Sequence, residues 1–221
     1  MILYVQDEKV EVPSWVIDHP SFLKWIRSGA VPQDLRVGFI DGHVWIDSTP
    51  ERAFAHNRLK AWITSVLLPL VEDNHLGDFY TDGMLFTCEA EQFSTIPDGL
   101  FLSQETIDRG QVRLTGGVGG RSDTEVVGTP DLVIEIVSEN TEDKDLVWLM
   151  SKYWAAGIRE YWIVDGREEP LSFTIYRHRP RGYVAIRKVS GWTRSEVFNR
   201  SFRFVPASKR QGHQTYRFEV R

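Results

Sequence analysis

One short run constrains the fold of this chain more than any other. Leu132-Val133-Ile134-Glu135-Ile136-Val137 is apolar almost throughout and is interrupted by a single carboxylate. A strand of this kind is buried on both faces, the condition of an inner strand in a sheet with parallel neighbours. Residues 143–156 read as a helix, with Gly157 placed to close it. Glu160-Tyr161-Trp162-Ile163-Val164-Asp165 is then a second buried strand. Strand, helix and strand in that order predict a right-handed crossover between parallel strands, and so an α/β fold.

The remaining segments fit around this unit. Pro13 to Gly29 reads as one or two short helices anchored by Trp15, Phe22, Trp25 and Ile26. Apolar residues flank Asp41-Gly42 in RVGFIDGHVWID, which predicts a hairpin. Ser48-Thr49-Pro50-Glu51 has the cap and first-turn proline of a helix start. That helix is expected to run to about Asn74, with Phe54, Leu59, Trp62, Ile63, Val66, Leu67 and Leu70 on its apolar face. GDFYTDG, MLFTCEA and IPDGLFLS are strand-like, as are FTIYRHR, GYVAIRKV and YRFEVR near the end. Gly116 to Gly120 lacks the Lys-Ser/Thr ending of a phosphate loop and reads as a loop excursion.

Composition narrows the class of function. With 221 residues, 42% of them hydrophobic, the chain can bury a full core. The apolar stretch Ala61 to Val71 is too short and too polar to span a bilayer, and no secretory signal is evident, so a cytoplasmic protein without membrane contact is expected. A single cysteine, Cys88, excludes an intrachain disulfide and a multi-cysteine metal site. Net charge is -5, yet residues 176–221 hold 12 Lys+Arg against 2 Asp+Glu, while the rest holds 14 against 29. The basic end either contacts nucleic acid or packs on the acidic body.

Glu135 needs a reason, because an unpaired charge in a buried strand costs several kcal/mol. It must be paired with a cation, neutralised, or bound to a metal. Asp98 ends another apolar run and is followed by Gly99, which permits close approach. Two carboxylates on adjacent strands would make an oxygen-rich site suited to Mg²⁺ or Mn²⁺. The alternative is that Glu135 pairs with an Arg or Lys and Asp98 caps a turn. Asp131, beside Pro130, reads first as a turn residue at the strand entrance.

The run GTPDLVIEIVS…KD…Y..AGIREYWIVD, with HVWIDSTPERAFAHNRLKAWITSVL and IPDGLFLS upstream and GWTRSEVFNRSFRF downstream, resembles the Uma-type family of putative restriction endonucleases in the PD-(D/E)XK nuclease superfamily. The resemblance implies a restriction endonuclease-like core of helix, three strands, helix and strand with a mixed central sheet. It implies an N-terminal helical extension over 1–36, the core over 37–178 and a basic β-rich segment over 179–221. The superfamily's Pro-Asp falls on Pro97-Asp98 and its Glu-Xaa-Lys on Glu135-Ile136-Val137, so Val137 stands where a lysine is expected. A lysine in the following helix is missing too, as Leu149 occupies its place before Tyr153 and Gly157. Lys144 and Lys152 are the replacements at hand, with Lys144 the nearer to the strand end. His56 and Asn57 match a His-Asn position of related sequences, which makes His56, with Glu51 and Asp131, a candidate accessory residue.

The expected activity is Mg²⁺-dependent hydrolysis of DNA phosphodiester bonds. Asp98, Glu135 and the carbonyl of Ile136 would be the metal ligands, and Lys144 or Lys152 would assist. A homodimer would suit double-strand cleavage. The competing expectation is a degenerate nuclease fold retained for binding DNA or protein, favoured by Val137 and Leu149. A serine hydrolase is poorly supported, since Ser138 lacks a glycine-flanked elbow.

Overall fold

The structure, a computed structural model, describes every residue except 1, 6, 7, 33, 34, 48–52, 118–121 and 138–146, and only the backbone of 2–5, 8–10, 47, 54 and 55. In chain order the elements are β1 (Ile2–Val5), β2 (Glu8–Glu11), α1 (His19–Ile26), β3 (Arg36–Ile40), β4 (His43–Asp47), a π-helical turn (Ala53–Asn57) and α2 (Arg58–Asp73). Then come β5 (Gly77–Thr81), β6 (Leu85–Cys88), β7 (Phe93–Thr95), β8 (Gly99–Ser103), α3 (Gln104–Asp108), β9 (Val112–Thr115), β10 (Glu125–Gly128) and β11 (Leu132–Ile136). The chain ends with α4 (Leu149–Ala155), β12 (Glu160–Asp165), β13 (Ser172–Arg179), β14 (Gly182–Ala185), β15 (Thr193–Ser195), β16 (Arg200–Arg210) and β17 (His213–Val220).

Side chains of β11 alternate with the two-residue period of a strand. Leu132, Ile134 and Ile136 face one apolar cluster, and Val133 and Val137 face another. The strand lies inside a six-stranded mixed sheet of order β14-β13-β12-β11-β8-β5. β11 and β12 are parallel and joined through α4, as the crossover pattern requires. Every other pair in this sheet is antiparallel. Read along the chain, α2, β5, β8, β11, α4 and β12 give the order helix, three strands, helix, strand, so the fold is the expected α/β, restriction endonuclease-like one.

The first cluster packs Leu59, Ile63, Leu67 and Val71 of α2 against this sheet, together with Phe202 and Phe218 of the three-stranded β15-β16-β17 sheet. The second lies between the central sheet and another six-stranded sheet, β4-β3-β7-β6-β10-β9, and takes in Leu149 and Tyr153 of α4. α1 covers the outer side of that other sheet with Phe22, Trp25 and Ile26. It starts at His19 because Asp18 caps it in a capping box and Pro20 sits in its first turn. Trp15, expected as an anchor, falls before the cap and is 47% exposed.

The predicted hairpin is present as β3 and β4, with Asp41 and Gly42 at φ 54° and 80° in the turn. α2 ends at Asp73, where expected, but its predicted opening at Ser48 to Glu51 lies outside the described residues. So do residues 143–146 of the predicted second helix, Ser138, and Val118 to Gly120 of the glycine-rich segment. β7, β9 and β10 were not anticipated. They are three or four residues long, too short for a period to show, and they complete the second sheet. Among the described residues no helix is long and apolar enough to cross a membrane.

Candidate active site

Asp98 immediately precedes β8 and is 6% exposed. Its Oδ2 accepts the Ile136 backbone N–H at 2.8 Å and lies 3.2 Å from His56 Nε2. Its Oδ1 lies 3.2 Å from Lys60 Nζ and 3.6 Å from an Arg36 guanidinium nitrogen. His56 is the penultimate residue of the π-helical turn and Lys60 stands four residues later on α2, the spacing that puts two side chains on one helix face. Arg36 opens β3 in the other sheet, so the two sheets and α2 meet at this carboxylate. Asp82, just beyond β5, clasps both cations, with Oδ2 at 2.7 Å from Lys60 and Oδ1 at 2.8 Å from Arg36. Burial alone would push the Asp98 carboxyl up. The hydrogen bond and charge of His56, the Lys60 ammonium and the Ile136 N–H outweigh it and hold the group well below the usual carboxylate range.

Glu135 is 3% exposed and lies on the α4 side of β11, between Val133 and Val137. Its Oε1 accepts the Tyr153 hydroxyl at 2.6 Å. The antiparallel register of β8 and β11 runs Leu132 to Phe101, Val133 to Leu100 and Ile134 to Gly99. Its next step sets Glu135 opposite Asp98. The two carboxylates thus occupy neighbouring positions at one end of the sheet, Glu135 gripped from α4 and Asp98 from α2 and β3.

Other residues singled out in the sequence lie as follows. Ile136 is tied to Asp98 through its N–H. Lys152 Nζ is 3.6 Å from Asp41 Oδ1, at the turn between β3 and β4. Asp131 stands at the opposite end of β11, where it accepts the Ser103 N–H at 2.7 Å and pairs with Arg159 at 3.1 Å, the work of a strand-entrance residue. Lys144 and Glu51 lie outside the described residues. Four participants escaped the sequence reading: Lys60, Arg36, Asp82 and the hydroxyl of Tyr153. The usable signal was the His56-to-Lys60 spacing, since a lysine one helical turn beyond a site histidine shares its face.

Among the described residues no three His, Cys, Asp or Glu side chains converge into a protein-only metal cage. Mg²⁺ does not need one, as it commonly takes one or two carboxylates and leaves its other positions to water and substrate phosphate. The donors present fit that pattern. Asp98 Oδ1 is buried and accepts no hydrogen bond among the described residues, and Glu135 adds a second hard oxygen donor one strand away.

At the basic end, part of the charge is spent internally. Arg203 pairs with Glu219 at 2.8 Å, Arg177 with Glu196 at 2.5 Å, and Lys209 with Glu169 of the body at 3.5 Å. Arg203 and Arg221 also stack over the Trp192 ring at 4.2 and 4.4 Å. Arg58 and Trp62 of α2 line one wall of a groove, and Arg210 and Arg217 of the β16–β17 hairpin line the other.

The fold and the position of these carboxylates can be set beside known proteins. No curated protein matches the chain. The structure is similar to the crystal structure of a putative nuclease belonging to DUF820 from Anabaena variabilis ATCC 29413, with a TM-score of 0.60 and 18% identity over 83% of this chain and 91% of that one. At that identity the likeness speaks for the fold. The model of the Uma2 family, described as putative restriction endonuclease, matches residues 20–203, a span that holds both sheets, α2 and every residue of the Asp98 cluster. The chain belongs to this family of putative restriction endonucleases.

Proposed function

We propose that the protein is a Mg²⁺- or Mn²⁺-dependent endonuclease that hydrolyses DNA phosphodiester bonds at Asp98 and Glu135. The observation that carries this reading is the pair itself: two buried carboxylates, Asp98 immediately before β8 and Glu135 in the neighbouring β11, one of them with an oxygen that accepts no hydrogen bond among the described residues. Asp98 and Glu135, with the Ile136 carbonyl, would hold the cation. The bound cation would supply Lewis-acid polarisation of the phosphate and a lowered pKa for an attacking water.

The chain's own residues do the rest. His56 and the Ile136 N–H fix Asp98 Oδ2, so the carboxylate cannot swing away from its position. Tyr153 fixes Glu135 in the same way through its hydroxyl. Hydrolysis forms one bond from water oxygen to phosphorus and breaks one ester P–O bond. The two water protons go to the departing oxygen and to solvent, leaving a phosphate monoester and an alcohol. Arg58, Arg210 and Arg217 along the groove between α2 and the β16–β17 hairpin would hold the phosphate backbone, with affinity that falls as salt rises.

The test is cleavage of supercoiled plasmid by purified protein with Mg²⁺, with Mn²⁺ and with EDTA, alongside Asp98→Ala. Nicking or linearisation that needs the metal and is lost in the variant is the expected result. No cleavage with either metal, together with unchanged metal binding and stability in Asp98→Ala, would sink the reading. One observation favours a second reading, a nuclease fold kept as a DNA-binding module: Asp98 is already neutralised by Lys60 and Arg36. Such a module would hold DNA in EDTA, and Glu135→Gln would leave its affinity intact.

A further inference from the structure

We propose that Lys60 is, among the described residues, the phosphate-facing cation of this site, filling the role that neither Val137 nor Leu149 can fill. The inference rests on the metal-dependent reading above. Val137 and Leu149 are both fully buried in the apolar cluster between the two sheets, and neither side chain can carry a positive charge to a phosphate. Lys152 reaches toward Asp41 at the far turn of the β3–β4 hairpin.

Lys60 stands where the chemistry is. Its ammonium is 3.2 Å from Asp98 Oδ1, the oxygen that accepts no hydrogen bond among the described residues, and its side chain is 14% exposed. The position comes from three independent elements. α2 supplies the lysine on the face it shares with His56, and β8 is preceded by the carboxylate it meets. The turn after β5 supplies Asp82, which grips the ammonium at 2.7 Å. Asp82 is 33% exposed at its side chain, so the ammonium sits at the boundary between the buried carboxylate and solvent. A phosphate approaching Asp98 from that side meets Lys60 first. A fixed ammonium there stabilises charge as it builds on the phosphate oxygens. Arg36, held by the same Asp82, adds a second positive charge to that rim. Asp82 acts through Lys60 and Arg36 and is a positioning residue.

The same geometry makes Lys60 a competitor of any cation that binds Asp98, and this separates a catalytic role from a structural one. The experiment measures Mn²⁺ binding by titration calorimetry and plasmid cleavage with Mn²⁺ for wild type, Lys60→Met and Lys60→Arg, with thermal melts of each. Lys60→Met is expected to bind Mn²⁺ roughly fivefold more tightly or better, since a like charge beside the ligand is gone, and to cleave about 10²-fold more slowly. Lys60→Arg keeps the charge on a wider head, and is expected to bind Mn²⁺ within about twofold of wild type while losing about tenfold in kcat with KM little changed. If Lys60→Met does not fold, the arginine variant decides by its kcat alone, and a wild-type kcat overturns the assignment.

A Lys60→Met protein that folds and cleaves at the wild-type rate overturns it as well. So does one that loses Mn²⁺ binding and cleavage together with a large drop in melting temperature, the pattern of a purely structural ion pair. Wild-type protein that binds Mn²⁺ and cleaves nothing refutes the proposed function, and the Lys60 role falls with it. Wild-type cleavage that is indifferent to Lys60 leaves the proposed function standing and removes this inference alone.

Discussion

Asp98 and Glu160 are both buried carboxylates of the central sheet, 6% and 1% exposed, and they are satisfied in opposite ways. Glu160 opens β12 on the α2 side and accepts four hydrogen bonds from neutral donors. Trp162 Nε1 and Ser195 Oγ reach Oε2 at 3.0 and 2.7 Å, and the N–H groups of Glu196 and Val197 reach Oε1 at 2.6 and 3.4 Å. Those donors belong to β12 itself, to β15 and to the segment that follows it, so one side chain ties the C-terminal sheet to the core. Asp98 has two hydrogen-bonded contacts on one oxygen and only ion-pair contacts on the other. A carboxylate enclosed by neutral N–H and O–H groups is a fastening, because every lone pair is used and no charge is left to attract a ligand. One balanced by side-chain cations keeps an oxygen that a stronger cation can take over. Burial is the same in both cases; the kind of partner separates them.

The comparison would break first at Glu160. Glu160→Ala leaves four donors without their acceptor, and urea unfolding should show a loss of about 3–5 kcal/mol with cleavage per folded molecule unchanged. A variant that melts normally and cuts poorly would mean the fastening is part of the site. Asp98→Asn should do the reverse. It retains an oxygen for the Ile136 N–H, keeps its far-ultraviolet dichroism and loses about 10³-fold in metal-dependent cleavage.

Acid sharpens the same contrast. The folded pKa of Asp98 is depressed, so its contribution to stability is fully present above the ordinary carboxylate value of about 4 and is lost as pH falls below it. In metal-free buffer the stability gap between wild type and Asp98→Asn should shrink as pH falls below about 4. A gap that widens in acid would reverse the sign and contradict the cation-held description. Tyr153→Phe removes one hydrogen bond to a buried carboxylate and should cost about 1.5–3 kcal/mol in urea unfolding. The smallest effect is expected on the surface. Arg113 and Glu89 pair at 3.3 Å with more than half of each side chain exposed, and Arg113→Ala should change stability by less than about 0.5 kcal/mol.

Much of the frame was legible because it rests on period and burial. The apolar run around Glu135, the strand after Gly157 and the β3–β4 turn each carry a local signal strong enough to fix an element, and the parallel pairing of β11 with β12 follows from their order. The cost of a buried charge pointed to Glu135, and the same argument applied with equal force to Glu160, which was read only as part of a strand. Sequence alone could not tell a carboxylate met by Tyr153 from one met by Trp162, Ser195 and two backbone N–H groups, since the donors lie up to 37 residues away. Lys60 was hidden for a related reason. On an amphipathic helix it reads as a solvated polar position, Asp82-Gly83 as a turn and Arg36 as the first residue of a hairpin. Only the meeting of two sheets with α2 turns these three into neighbours.

Asp82 also limits what can replace it. It sits at φ 55°, in the left-handed region, where the chain leaves the central sheet for the other one, and Gly83 follows at φ 74°. Glycine, asparagine and aspartate accept that backbone readily, whereas a β-branched side chain would be strained there. Of the three, only aspartate brings the charge that holds Lys60 and Arg36. Mutational tolerance at this position is therefore filtered twice, once by torsion angle and once by electrostatics. A library randomised at codon 82 should yield two nested populations: a small set of folded proteins, and within it a single residue type able to keep both cations in place.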